Sequence, residues 1–158
     1  MKSLVVYDSL YGNTERIAQA IGNALGSPEE NSVVQVKNMK TEQLAGIILL
    51  VVGSPTQQFK PTAAMSSFLK NIPKNGLKGI KVAAFDTRLT MNTIEKSPPL
   101  PFFARIFGYA AERIANQLKK KGGELVLDGE GFYVEEMKGP LVEGELERAE
   151  KWARILFA

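Results

Sequence analysis

The sequence predicts an α/β fold in which helices cover both faces of a parallel β-sheet. Apolar segments of strand length alternate with amphipathic segments of helical spacing along all 158 residues. The segment 47–52 is apolar at every position, which is typical of a central strand covered on both faces. The length and the 44% hydrophobic content suit a single domain, residues 1–158, with one core.

The strands are predicted from apolar runs bounded by turn residues. The second run alternates only weakly and reads as an edge strand. The last run is interrupted at 128–131, where acids alternate with glycines. The five predicted strands are 4–7, 32–36, 47–52, 80–85 and 124–134.

The helices are predicted from apolar residues spaced three and four positions apart. The first presents Ile17, Ala18 and Ile21 on one face and ends before Gly26. The predicted helices cover 14–25, 62–71, 104–121 and a closing segment around 146–156.

The chain contains neither Cys nor His. Disulfides, thiol redox chemistry, Cys-rich zinc sites and Cys–His or Ser–His catalytic pairs are therefore excluded. Electron chemistry would need a bound cofactor to hold the electrons. No apolar run approaches the ~20 residues that span a bilayer. The first residues lack the layout of a signal peptide, so we expect a cytoplasmic protein.

The net charge of +3 is unevenly distributed. Residues 37–121 hold 14 Lys and Arg against four acids, and residues 128–150 hold eight acids against two bases. Either these are solvated faces of different sign, or the basic segment forms a docking face for acidic partners. The basic residues lie on several predicted elements without a nucleic-acid-reading motif, so no nucleic-acid partner is expected. For the oligomeric state, a monomer is favoured.

The loop at residues 8–14 joins the first strand directly to the first helix and suits a phosphate. A helix N-terminus has unpaired N–H groups and roughly half a unit of positive charge. Ser9 and Thr14 add hydroxyl donors, and Gly12 and Asn13 tolerate the backbone angles of a tight turn. The alternative is a plain turn in which Asn13 or Thr14 caps the helix.

The segment 5–18, VVYDSLYGNTERIA, resembles the flavodoxin signature of a strand, a Ser/Thr-x-Thr/Tyr-Gly-Asn-Thr loop and a helix. It differs from the dinucleotide-binding Gly-x-Gly-x-x-Gly loop and lacks the Lys of a P-loop. Segments 53–56, 85–88 and 139–141 extend the resemblance along the chain. The resemblance implies a flavodoxin-like three-layer sandwich with a five-stranded parallel sheet in the order 2-1-3-4-5. It also implies FMN at the ends of the first and third strands.

The resemblance further implies that three loops surround the FMN. The phosphate loop consists of Ser9, Leu10, Tyr11, Gly12, Asn13 and Thr14. One side of the isoalloxazine ring is lined by Pro55, Thr56, Gln57, Gln58 and Phe59. The other side and the pyrimidine edge meet Asp86, Thr87, Arg88 and Leu89.

Two features depart from ordinary flavodoxins. The loop 55–59 has no Gly where many flavodoxins have one, and a non-Gly residue reaches positive φ only at a cost. The third loop carries Arg88, whereas ordinary flavodoxins surround the flavin with acids. A cation there would favour the reduced, anionic flavin, unless Arg88 points into solvent. Phe59 either stacks on the ring or belongs to the core.

The segment 97–107 combines three prolines with three phenylalanines. Either it is a long loop that packs over its own domain, or it is an apolar docking patch beside the cofactor.

The resemblance implies an FMN-binding protein that passes electrons between redox enzymes. One alternative is an FMN-dependent NAD(P)H or quinone-type reductase, which the same fold supports. A further alternative is a flavin-free interaction domain that keeps the fold.

Overall fold

The computed structural model describes residues 2–90 and 108–157. Its strands form one parallel sheet in the order β2-β1-β3-β4-β5, with β6 also paired to β4. The predicted strand order 2-1-3-4-5 is therefore confirmed. The strands are β1 (Ser3–Tyr7), β2 (Asn31–Gln35), β3 (Leu49–Pro55), β4 (Lys81–Leu89), β5 (Glu124–Leu125) and β6 (Glu130–Val134).

Within the described ranges, the helices agree with the predicted pattern. The 13 residues that join β2 to β3 form only two 3-10 turns, Val36–Asn38 and Thr41–Leu44. The first four residues of the helix predicted over 104–121 lie outside the described ranges, as does the segment 97–107. The α-helices are α1 (Asn13–Leu25), α2 (Ala63–Asn71), α3 (Ala110–Lys120) and α4 (Glu145–Ile155).

The core consists of two apolar clusters, one on each face of the sheet. Successive side chains of a strand point to opposite faces, so β1 contributes to both clusters. Leu4 and Val6 pack with residues of α2 and α3, and Val5 packs with residues of α1 and α4. This double cover explains why the central strands are apolar at consecutive positions.

Strands β3 and β4 extend three and four residues beyond their predicted ends. The prediction that Asp86 and Leu89 bound a loop is wrong, because these residues belong to β4. Pairing on both sides keeps this polar stretch extended: Asp86 lies opposite Ser54 of β3, and Arg88 lies opposite Tyr133 of β6. The last predicted strand is interrupted as expected, but at 126–129 between β5 and β6, so the prediction that Glu130 and Gly131 belong to the interruption is wrong.

Tyr7 ties the end of β1 to helix α1. Its side chain is buried, and its hydroxyl donates a 3.0 Å hydrogen bond to Glu15 Oε1. Burial, the hydrogen bond to Glu15 and the negative charges of Glu15 and Asp8 raise the pKa of Tyr7 to about 12. The folded protein therefore keeps this proton at pH values where an unfolded tyrosine, with a pKa near 10, loses it.

The stability of the apoprotein should consequently fall between about pH 10 and pH 12. Urea unfolding across this range measures the fall. Tyr7→Phe should make the fall shallower, because no proton is then lost from this position. Tyr11→Phe, which changes a half-exposed side chain, is the matched control and should leave the fall in place. Equal profiles for Tyr7→Phe and the unaltered chain would contradict this account.

Candidate functional site

A cavity of about 460 Å³ opens at the carboxyl ends of the central strands. Open parallel sheets bind ligands at this edge, and the volume lies within the usual range for small-molecule sites. The lining comes from the loop after β1, the ends of β3, β4 and β6, and the start of α3. The lining residues are Leu10, Tyr11, Asn13, Thr14, Pro55, Thr56, Gln57, Gln58, Phe59, Thr87, Arg88, Leu89, Tyr109, Val134 and Met137.

The cavity thus brings together all the predicted site residues except Ser9, Gly12 and Asp86. Ser9 and Asp86 accept hydrogen bonds from neighbouring residues, and Gly12 forms the turn that precedes α1. Tyr109, Val134 and Met137 line the cavity but were not predicted. Val134 is the last residue of β6. Met137 follows the end of β6, so the rule that ligands bind at strand ends could have found it. Tyr109 directly precedes α3, and its position depends on packing that the sequence does not reveal.

The loop from Ser9 to Thr14 presents the N-terminus of α1 to the cavity. Ser9 Oγ accepts hydrogen bonds from the amides of Gly12 (3.1 Å) and Glu15 (3.3 Å). The N-cap residue is Gly12, with φ of 90°, and the first-turn amide of Glu15 is bound by Ser9, so the alternative of a cap by Asn13 or Thr14 is wrong. The first intrahelical bond runs from the Arg16 amide to the Gly12 carbonyl. The amides of residues 13 and 14 precede that bond and remain available to an anion.

Polar contacts fix this loop to the neighbouring elements. The Thr14 and Thr87 hydroxyls lie 2.8 Å apart, which links α1 to the end of β4. Asp8 Oδ1 accepts from the Ser9 amide at 2.9 Å, and Asp8 Oδ2 accepts from the Thr62 hydroxyl at 2.5 Å. The Thr62 hydroxyl also caps α2 by accepting from the Met65 amide. The start of α2 and the end of β4 therefore both support the loop.

The second wall of the cavity is a two-residue turn between Gln57 and Lys60. Each of these residues donates its amide to the carbonyl of the other, at 2.8 and 2.9 Å. The central residues, Gln58 and Phe59, have φ of 48° and 66°, so both occupy the left-handed region that usually favours Gly. Each costs of order 1–3 kcal/mol of strain. Phe59 is half-buried and lines the cavity, so the alternative that it belongs to the core is wrong.

Arg88 neither points into solvent nor stands as a free cation. Its side chain is 14% exposed and forms a bidentate ion pair with Asp86, which is fully buried. Burial disfavours the charge on Arg88, but the bonds to Asp86 outweigh this effect and raise its pKa. The predicted cation therefore lies at the cavity, but its counter-ion is two residues away in the same strand.

Within residues 2–90 and 108–157, no helix is long and apolar enough to cross a membrane. No relative among the curated proteins matches the sequence.

Solved structures share the fold along almost the whole chain. A flavodoxin from the domain Archaea superposes with a TM-score of 0.75 and 22% identity, over 99% of this chain and 96% of that one. Flavodoxin 2 from Bacillus cereus gives 0.74 and 24%, over 99% and 98%. Rubredoxin oxygen:oxidoreductase from Desulfovibrio gigas gives 0.72 and 17%, over 98% of this chain and 35% of that one.

The flavodoxin family model matches residues 5–152. The match covers most of β1, the phosphate-type loop, the whole cavity lining and most of α4. The chain therefore belongs to the flavodoxin family of FMN-binding electron-transfer proteins.

Proposed function

We propose that FMN lies in the 460 Å³ cavity, with its phosphate at residues 9–14 and its ring between the 57–60 turn and the end of β4. The observation that carries this proposal is one continuous cavity that joins the N-terminus of α1 to the ends of β3 and β4. The donors fit a phosphate, because amides and hydroxyls at a helix N-terminus bind anions without Lys or Arg.

The rest of the lining fits a flat aromatic ring. Phe59, Tyr109, Val134 and Met137 contribute apolar surface, and Tyr11 is half exposed at the phosphate end. FMN supplies the redox chemistry when it is bound, since the chain has no Cys of its own. The protein residues bind the cofactor, orient it and exclude water from one face of the ring.

Flavodoxins pass electrons to redox partners. We propose partners with acidic docking faces, because residues 37–121 carry a large excess of basic side chains. The proposal also includes a monomer of one domain, residues 1–158, in the cytoplasm. The two core clusters on opposite faces of one sheet support the single domain.

A titration with FMN tests the proposal directly. The apoprotein should quench flavin fluorescence with one-to-one stoichiometry and micromolar or tighter affinity. NAD(P)H should then reduce the bound flavin only after a separate reductase is added. Rapid reduction without that reductase would favour the NAD(P)H or quinone-type reductase. A colourless protein that leaves flavin fluorescence unchanged would favour the flavin-free interaction domain.

A further inference from the structure

Several hydrogen bonds converge on the buried carboxylate of Asp86, near the C-terminal end of β4. Its Oδ1 accepts from Arg88 Nε at 2.7 Å, and its Oδ2 accepts from Arg88 Nη2 at 2.8 Å. The Ala111 amide, in the first turn of α3, donates to Oδ2 at 2.9 Å. Thr56 helps to lower the pKa of the carboxyl group, and its hydroxyl accepts from the Ala110 amide at 3.2 Å. Asp86 thus joins β4, the end of β3 and α3 without lining the cavity itself.

Arg88 is held in one orientation by its surroundings. Its guanidinium carbon lies 3.8 Å from the centre of the Tyr109 ring, which is a cation–π distance. On β6, a side chain at Gly131 would collide with the guanidinium, so the absence of a side chain there makes room for Arg88. Two of the five guanidinium N–H groups bond to Asp86, and Arg88 also lines the cavity.

Arg88 is also the one charged residue among the described residues that line the cavity. The net charge that the cavity lining presents to a bound ring therefore depends on whether a carboxylate neutralises Arg88. Burial raises the pKa of Asp86 above its ordinary value, although Arg88, the Ala111 amide and Thr56 each act to lower it. The bidentate geometry identifies the pair as an Asp carboxylate with an Arg cation, which sum to zero charge.

We propose that Asp86 sets the reduction potential of the bound flavin by neutralising Arg88. This inference rests on the proposed binding of FMN in the cavity. A redox partner supplies two electrons and solvent supplies one proton when oxidised FMN becomes its reduced anion, with the proton on N5 and the negative charge around N1. An uncompensated Arg88 would attract that anion, and Asp86 removes most of the attraction. Asp86 is a positioning residue, since it acts through Arg88.

Asp86→Asn keeps the size of the side chain and removes its charge. The experiment measures the affinity of the apoprotein for oxidised FMN by fluorescence and the two-electron potential by dithionite titration against an indicator dye. Together these give the ratio of the affinities for reduced and oxidised FMN. Asp86→Asn should raise this ratio about 15- to 35-fold, as expected for one net charge within roughly 8–10 Å of the ring at an effective dielectric constant near 20.

Two further variants make the result specific. The double variant Asp86→Asn/Arg88→Gln removes both charges, so its ratio should stay within about threefold of the unaltered chain. Glu145→Gln is the matched control. It also removes a carboxylate from an ion pair, the one with Arg148 (2.7 Å), but neither Glu145 nor Arg148 lines the cavity. Its ratio should not change.

The proposal is overturned if folded Asp86→Asn keeps the original ratio, or if the double variant shifts it tenfold or more. Urea unfolding of each apoprotein shows whether the variant folds. If Asp86→Asn alone does not fold, the result for the double variant still decides the proposal. Failure of the unaltered chain to bind oxidised FMN would instead refute the proposed function, and it would be seen before any reduction is attempted.

Discussion

Ser9→Asp is expected to weaken FMN binding by about 100-fold while it leaves riboflavin binding unchanged. Ser9 Oγ accepts from the Gly12 and Glu15 amides behind the proposed phosphate position. An Asp carboxylate can accept from the same amides, so the turn should survive. Its negative charge, however, would lie roughly 5 Å from the phosphate, where repulsion of about 3 kcal/mol is expected at an effective dielectric constant near 20.

Fluorescence titrations with both flavins measure this effect. Ser9→Asn is the matched control, because it differs from Ser9→Asp by little more than charge and should bind FMN much more tightly. Riboflavin lacks the phosphate, so a parallel loss of riboflavin affinity would mean that the substitution damages the ring site instead. Equal FMN affinities for Ser9→Asp and Ser9→Asn would place the phosphate away from this loop.

Phe85→Ala is expected to lower the free energy of unfolding of the apoprotein by about 3–5 kcal/mol. Phe85 is fully buried and makes edge-to-face contacts with Phe132 (6.2 Å between ring centroids) and Trp152 (6.3 Å). The Phe132 and Trp152 rings also contact each other, at 6.0 Å. Removing the Phe85 ring leaves a cavity among β4, β6 and α4 that rigid neighbours fill poorly.

Gly53 offers a second, independent test of this packing. It is the partner of Phe85 across β3 and β4, and a methyl group at Gly53 would overlap the Phe85 ring. Gly53→Ala alone should therefore destabilise the protein by about 1–3 kcal/mol. In the Phe85→Ala background the same change should be nearly neutral, because the ring is gone. Urea unfolding of the four chains gives the coupling, and strictly additive costs would contradict the contact.

The alternation of strands and helices and the loop 9–14 could be predicted from the residues themselves, whereas the strand order and the ring side of the cavity were implied by the resemblance to flavodoxins. The loop 9–14 is contiguous, and its position between a strand and a helix is visible in the residues. The ends of β3 and β4 were predicted too short, since Gly53, Ser54 and Asp86 are atypical of strands. Their extended conformation comes from pairing with neighbouring strands, which a single segment does not show.

Arg88 illustrates a different limit. Its charge near the flavin could be anticipated from the resemblance, but its ion pair could not. Asp86 and Arg88 are two residues apart, so in a strand their side chains lie on the same face, whereas a loop would leave their relation open. Because residues 86–89 were predicted to form a loop, the neutralisation of Arg88 by Asp86 could not be foreseen. Tyr109 was missed for a related reason, since only the tertiary fold brings it to the cavity.

The turn at residues 57–60 and the end of β4 differ in how they are joined to the rest of the molecule. β4 is hydrogen-bonded on both sides, to β3 and to β5 and β6, and its side chains reach both core clusters. Its amides should exchange with solvent only when the whole domain unfolds. The turn is closed by two hydrogen bonds and stores strain at Gln58 and Phe59, so it can open on its own. The proposed flavin ring therefore lies between two walls of different stability. The β4 wall opens only when the whole domain unfolds, whereas the 57–60 turn can open by local unfolding.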